Sequence, residues 1–170
     1  MEALHVRRAK SDEIVWIIDL SQRVQDALTT SGSLQQIGPL PYQMVEPSIH
    51  AGCTYLLESP ERRLGSVLVD PIKAPSLQKW QLEGLEPPVW YLHALMIEPN
   101  ARGKGLGMTF LDGIKQYVLP DHKGSITLNC WAGNHKLRDF YLRAGFTLHG
   151  IYGEKDYEVA VFLYPFNYNC

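Results

Sequence analysis

Apolar positions in this chain recur with two different periods, and each period predicts a different kind of element. Apolar residues between Ile14 and Leu28 form an approximate helical stripe, whereas short apolar runs bounded by turn residues predict strands. The elements predicted for the first half are a strand at 4–9, a helix at 11–28, a loop at 36–47, a short helix at 48–53 and a hairpin of strands at 53–58 and 63–70.

The second half predicts alternating strands and helices that close with two strands. The predicted elements are a strand at 90–97, a helix at 108–118, a strand at 125–131, a helix that starts at Asn134 and stops at Gly145, and an antiparallel pair at 146–153 and 157–164. Residues 71–88 contain four prolines and several large apolar side chains. We therefore expect an ordered insertion there, which is a candidate wall or lid for a substrate.

The strand predicted at 90–97 is almost wholly apolar, which is typical of a strand covered on both faces. It leads through Pro99 into a basic turn, residues 102–107, with three glycines. Glycine lets backbone N–H groups approach phosphate oxygens, and the start of a helix together with Arg102 and Lys104 adds positive charge. This turn is a candidate phosphate site, and a solvated basic turn is the alternative.

The spacing within the turn excludes two common phosphate loops. A Walker loop needs a glycine five residues before the Gly–Lys pair, where this chain has Glu98, and a Ser or Thr after the lysine. A dinucleotide fingerprint needs Gly-x-Gly-x-x-Gly, whereas Gly103, Gly105 and Gly107 follow the pattern Gly-x-Gly-x-Gly.

Two motifs resemble the GNAT superfamily of N-acetyltransferases. Residues 102–107, Arg-Gly-Lys-Gly-Leu-Gly, fit its acyl-CoA pyrophosphate loop, Arg/Gln-x-x-Gly-x-Gly/Ala after a strand. Downstream, the family opens a helix with Asn and ends it with Phe-Tyr-x-x-x-Gly-Phe, which are Asn134 and residues 140–146 here. The resemblance is dense over about 90–146. It implies one α/β domain over residues 1–170, with a mixed, mostly antiparallel central sheet flanked by helices.

The resemblance also implies acetyl-CoA as co-substrate, entering where the motif strand and its neighbour splay apart. The residues it assigns to acetyl-CoA are Leu95, Met96, Ile97, Arg102, Gly103, Lys104, Gly105, Leu106, Gly107, Met108, Asn134 and Tyr141. Backbone N–H groups of residues 95–97 would donate to the thioester carbonyl, and the protonated phenol of Tyr141 to the leaving sulfur. A helix would place Tyr141 on the face of Asn134, two turns away. Simple packing of its ring is the alternative.

Acetylation of an amine also needs a proton acceptor, because an aliphatic amine with a pKa near 10.4 is neutral in only about one molecule in 2,500 at pH 7. His93 interrupts the apolar strand where several GNAT enzymes carry a glutamate base, and imidazole suits neutral pH. A neutral core histidine is the alternative. Glu98, which we expect to be exposed, and a water held by Asn129 are the rival proton acceptors.

Composition narrows the class of protein. The chain has 170 residues, 45% of them hydrophobic, and a net charge of −2, which suits one domain and disfavours nucleic acid as a partner. Cys53, Cys130 and Cys170 lack metal-ligand spacing, so we expect reduced structural thiols and no metal. No apolar run approaches about 18 residues, so no membrane partner is expected. We expect a cytoplasmic protein, with the nucleus as the other compartment.

The acceptor is predicted to be a small-molecule amine that attacks acetyl-CoA directly in a ternary complex, because a bulky insertion at 71–88 favours a pocket over an open groove. One alternative is acetylation of a protein or peptide, at a lysine or an N-terminal amine. Another is a CoA-binding sensor or interaction module without turnover. A homodimer is compatible with the sequence.

Overall fold

The computed structural model describes residues 3–165, so Cys170 lies outside the described residues. Seven strands and five helices follow one another along this range. The strands are β1 His5–Arg8, β2 Thr54–Glu58, β3 Arg63–Pro71, β4 Val89–Ile97, β5 Ser125–Trp131, β6 Thr147–Gly153 and β7 Glu158–Tyr164. The helices are α1 Ile14–Thr30, α2 Tyr42–His50, α3 Ala74–Lys79, α4 Leu106–Val118 and α5 His135–Arg143, and 3-10 turns lie at Ser11–Glu13 and Pro99–Ala101.

The strands form one sheet in the order β1-β2-β3-β4-β5-β7-β6. Antiparallel pairing joins β1 to β2, β2 to β3, β5 to β7 and β7 to β6. β4 and β5 are parallel, with Val89–Tyr91 beside Ser125–Thr127. The predicted α/β fold with a mixed, mostly antiparallel sheet flanked by helices is therefore confirmed.

The chain divides into two compact units, one formed by the residues up to Asp70 with His93–Ile114, the other by Pro71–Leu92 and the residues from Lys115 onward. In the first unit, α1 and α2 bury apolar residues such as Ile17 and Val45 against the sheet. On α4, Gly113 allows a close approach to β1, since a Cβ there would lie 2.6 Å from the Val6 side chain.

The second unit contains the insertion at 71–88, which is ordered as predicted. Its buried residues Trp80 and Leu82 pack on alternate residues of β7, Val159, Val161 and Leu163. A salt bridge of 2.5 Å joins Lys79 to Glu154, and His149 Nε2 lies 2.8 Å from the carbonyl oxygen of Trp80. The insertion is thus a fixed layer on one face of β7, while its role as a wall or lid stays a prediction.

The predicted loop is observed over residues 36–41, but the prediction for residues 42–53 was wrong, because a helix begins at Tyr42 and ends at His50 rather than occupying 48–53. Pro47 lies inside this helix, where a proline removes a backbone hydrogen bond at a cost of about 3 kcal/mol. Val45 and Ile49 are buried in the core of the first unit. Their burial offsets the unfavourable propensity, which sequence periodicity over so short a segment does not reveal.

Cys53 and Cys130 are free, buried thiols, and burial raises the pKa of both, that of Cys130 to about 11. A raised pKa keeps a thiol protonated and unreactive. This agrees with the predicted structural role of these two cysteines. Within residues 3–165, no helix is long and apolar enough to cross a membrane.

A buried carboxylate fixes the start of α1. Glu13, only 2% exposed, accepts hydrogen bonds from both terminal nitrogens of Arg7 at 2.8 and 2.9 Å, from Arg63 Nε at 2.8 Å and from the Lys10 backbone N–H at 2.9 Å. Arg7 also pairs with Glu58 at 2.9 Å. The hydrogen bonds from Arg7 lower the pKa of Glu13 to about 2.

We expect Glu13→Gln to destabilise the protein by roughly 3–5 kcal/mol, because it leaves Arg7 and Arg63 near a neutral amide in place of an anion. A pKa depressed by folding adds stability above the unfolded value, so in the native protein this contribution is lost as pH falls from about 4.5 towards 2. Urea unfolding across that range checks both statements. The same acid loss in the Glu13→Gln variant would contradict the assignment to Glu13.

Candidate active site

The glycine turn adopts the backbone conformation that its composition predicts. Gly103 and Gly105 have φ angles of +82° and +71°, which favour glycine. A Cβ built at either position would meet no atom within 4 Å. A side chain at either position would therefore not clash with neighbouring atoms, and it is the positive φ that favours glycine there. The same open space leaves the turn accessible to an approaching ligand. Helix α4 begins at Leu106, two residues before the predicted start, so Gly107 lies in its first turn.

The two basic side chains of this turn form no ion pair with any other described residue. Arg102 and Lys104 are exposed, and within residues 3–165 neither forms an ion pair or a side-chain hydrogen bond. The first N–H groups of a helix also lack partners within it and carry partial positive charge. Two free cations beside the start of α4 thus form a surface suited to an anion.

Glu98 differs from its prediction. It is 9% exposed, and its carboxylate accepts hydrogen bonds from Arg23 of α1 at 2.5 and 3.2 Å. Its backbone N–H donates to Leu64, and its carbonyl accepts from Ala101. The expectation of an exposed Glu98 was therefore wrong, because α1 covers it. Glu98 is thus ion-paired with Arg23 and anchors the turn that precedes the glycines, and its role as a rival proton acceptor stays a prediction.

His93 is half-buried and paired with an acid. Its Nε2 lies 2.7 Å from Oδ2 of Asp70, at the end of β3. Sequence analysis did not identify Asp70, although an acidic residue at the end of an apolar strand was the available signal. The partner of His93 Nε2 is thus a carboxylate, whereas the alternative of a neutral core histidine expected backbone or water there. The catalytic role of His93 stays a prediction.

The strand that carries His93 is less buried than its apolar run predicted. Of its nine residues only Val89, Leu92 and Met96 are buried. Ala94 has a φ of +54°, which is unusual for a residue with a side chain and typical of a local bulge that redirects the backbone. The proposed carbonyl donors, the N–H groups of residues 95–97, follow this kink directly.

Tyr141 is held by a helix that is capped at both ends. At the start of α5, Asn134 Oδ1 accepts from the Leu137 N–H at 3.1 Å. At its end, Gly145 has a φ of +91°, its N–H donates to Leu142, and the Phe146 N–H donates to Tyr141, which is the Schellman pattern. Lys115 also donates to the carbonyl of Ala144. These contacts leave Tyr141 little freedom to move.

The surroundings of Tyr141 suit its predicted roles as a proton donor to the leaving sulfur and as a residue of the acetyl-CoA site. Its ring is buried and contacts Phe146 and Phe162 at centroid distances of 5.9 and 5.8 Å. Burial raises the pKa of its hydroxyl, so the phenol stays protonated at neutral pH. Within residues 3–165, this hydroxyl has no hydrogen-bond partner. The hydroxyl oxygen is not among the buried polar atoms that lack a partner in the described residues, which are Ser66 Oγ, Trp80 Nε1 and Trp90 Nε1, so it keeps contact with solvent and is accessible to a ligand atom.

The side-chain amides of Asn134 and Asn129 both form hydrogen bonds within the protein. Asn134 is the N-cap of α5, so it opens the helix as predicted. The alignment of Asn134 and Tyr141 on one helical face stays a prediction. The side-chain amide of Asn129 donates to the hydroxyl of Tyr91 at 3.3 Å. Its carbonyl oxygen and its second N–H then remain to hold a water.

Comparison with known proteins identifies the family. Residues 25–146 match the model of the acetyltransferase (GNAT) family, so the chain belongs to that family. None of the curated protein sequences compared with the chain matches it.

Solved structures share the fold at low identity. A GNAT acetyltransferase from Listeria monocytogenes 4b F2365 is 22% identical, with a TM-score of 0.78 over 94% of this chain and 93% of that one. Arabidopsis thaliana Naa50, in complex with the bisubstrate analogue CoA-Ac-MVNAL, is 15% identical, with a TM-score of 0.69 over 96% and 99% of the two chains. An agmatine N-acetyltransferase is 13% identical, with a TM-score of 0.67 over 94% and 98%.

We expect Gly105→Asp to abolish acetyl-CoA binding, because it brings an anion to a turn that should hold phosphate. Gly105→Asn is the matched control, since it imposes the same backbone strain and nearly the same size without the charge. Isothermal titration calorimetry on both folded variants should give a loss of at least about 10-fold more for Asp than for Asn. Equal affinities for the two variants would remove the assignment of phosphate to this turn.

Tyr141→Phe should lower kcat by about 10- to 1,000-fold and leave the affinity for acetyl-CoA nearly unchanged. The ring contacts with Phe146 and Phe162 remain, and only the proton donor is lost. Steady-state kinetics with thermal unfolding as the control for stability measure this effect. Wild-type kcat in the variant would reduce Tyr141 to packing.

Proposed function

We propose that this protein transfers the acetyl group of acetyl-CoA to the primary amine of an apolar small molecule, by direct attack within a ternary complex. Membership of the GNAT family supports the acetyl transfer. The observation that carries the choice of acceptor is an apolar cavity in the second unit, lined mainly by residues of the insertion at 71–88.

This cavity has a volume of about 430 Å³, which is within the usual range for small-ligand sites. Its lining is almost entirely apolar, and Glu83 is its one charged residue. The lining residues are Pro71, Ile72, Leu77, Leu82, Glu83, Leu85, Pro87, Pro88, Val89 and Trp90. Such a cavity suits the hydrocarbon or aromatic part of an amine, because it offers few partners for polar groups.

The proposed reaction begins when His93 takes a proton from the ammonium form of the acceptor. The neutral nitrogen attacks the thioester carbon, so an N–C bond forms and negative charge grows on the carbonyl oxygen beside the N–H groups of residues 95–97. Collapse breaks the C–S bond, and Tyr141 protonates the leaving sulfur. After the N–C bond has formed, the nitrogen still carries one proton more than the neutral amide, and this proton passes through solvent to the phenolate of Tyr141. His93 releases the proton that it took from the ammonium group to solvent.

A panel of n-alkylamines tests the acceptor class directly. Each added methylene should raise kcat/KM about fourfold until the cavity is filled, because burying one CH₂ group contributes about 0.8 kcal/mol. Thiol release from acetyl-CoA measures the rate.

Leu85→Trp should fill the cavity and raise KM for the longer amines about 10-fold or more while leaving KM for acetyl-CoA unchanged. Leu34→Trp, at an exposed residue of the first unit, is the matched control.

Other outcomes of this panel would contradict the proposal. Faster acetylation of peptides with a free N-terminus or a lysine than of every alkylamine would establish a peptide acceptor. Binding of acetyl-CoA without acetylation of any amine would indicate a non-catalytic CoA-binding module.

A further inference from the structure

We propose that Asp70 is a positioning residue that fixes the tautomer of His93 so that Nδ1 accepts the proton of the amine. This inference rests on the proposed acetyl transfer and adds to it a residue that no sequence motif marks. The two side chains come from β3 and β4, strands that neighbour each other in the sheet.

The contact between these side chains is short and partly shielded from water. Asp70 Oδ2 and His93 Nε2 are 2.7 Å apart, and the side chains are 29% and 20% exposed. Within residues 3–165, His93 is the only hydrogen-bond or ion-pair partner of the Asp70 carboxylate. The residue before Asp70 is also anchored, since the Val69 N–H donates to the Cys53 carbonyl at 2.8 Å. Asp70 therefore lies at a fixed point of β3.

The chemistry of the pair follows from what each atom can do. An ionised carboxylate can only accept hydrogen bonds, so Nε2 must carry the hydrogen. In neutral imidazole the lone pair is then on Nδ1. When Nδ1 gains a proton, the adjacent carboxylate stabilises the imidazolium that forms. Asp70 remains ionised throughout, and the proton moves only from the amine to Nδ1.

Two further ionisable groups belong to these surroundings in the first unit: Cys53, which is affected by the charge of Asp70, and Arg8, which acts on Cys53. The buried Cys53 thiol has a pKa raised by burial and by the charge of Asp70, so it stays neutral. Arg8, whose Nε donates to the Gly52 carbonyl at 3.2 Å, acts on Cys53 in the opposite direction. Neither group changes charge near neutral pH in place of His93, because an arginine stays protonated and the pKa of the Cys53 thiol is raised.

A purely structural pair between neighbouring strands is the rival interpretation, and pH dependence separates the two. Asp70→Asn removes the anion and can donate to Nε2, which reverses the tautomer; an amide in place of a triad aspartate has this effect in serine proteases. We expect kcat to fall about 10- to 1,000-fold with little change in KM for acetyl-CoA. The rising limb of kcat/KM should move to lower pH, because the imidazolium loses its counter-charge. Asp70→Glu should restore the limb.

The tautomer is measured independently of turnover by ¹⁵N NMR of histidine-labelled protein above neutral pH, with His93→Gln to assign the signal. The expected result is hydrogen on Nε2 in the native protein and in Asp70→Glu, and on Nδ1 in Asp70→Asn. Asp121→Asn, at an exposed acid of the second unit, controls for the loss of one charge and should change neither the tautomer nor the pH limb.

The outcomes distinguish this inference from the function on which it rests. Hydrogen on Nδ1 in the native protein, or an unchanged pH limb in a folded and active Asp70→Asn variant, would overturn the role of Asp70 alone. Absence of acetyl transfer by the native protein to every amine tested would overturn the proposed function, and this inference with it.

Discussion

The buried carboxylate of Glu13 is the interaction on which the arrangement of the first unit depends. Hydrogen bonds from Arg7 and Arg63 tie the start of α1 to β1 and β3. A buried charge must keep its partners, so it allows few alternative positions for the helix that follows it. That helix carries Arg23, which holds Glu98 at the entrance to the glycine turn. The geometry of the candidate phosphate site thus depends on a carboxylate more than eighty residues earlier in the chain.

Strand β4 meets two requirements that oppose each other. Its buried residues Leu92 and Met96 hold it in the core, while His93 and the kinked backbone at Ala94 interrupt regular packing. Local departures from regular structure persist only where the surrounding structure determines them, and they concentrate at functional sites. The acid at the end of β3 and the kink in β4 therefore point to the same few residues as the candidate centre of chemistry.

Helix α5 shows how local signals and packing combine. The Asn134 cap and the Gly145 stop are recognisable in the sequence because each depends on backbone geometry within a single turn. The burial of Tyr141 depends instead on Phe162, which lies on strand β7 and is 21 residues away. This packing buries the ring and raises the pKa of the phenol, and no local pattern reveals it.

The sequence by itself determined most of the elements, the glycine turn and the family resemblance, because periodicity, caps and turn chemistry act over a few neighbouring residues. Tertiary structure alone decided that Glu98 is covered by Arg23, that Asp70 meets His93 and that α2 forms around Pro47. Each of these depends on groups distant in sequence. Ion pairs and burial are set by distances in space, and these become defined only when the chain has folded.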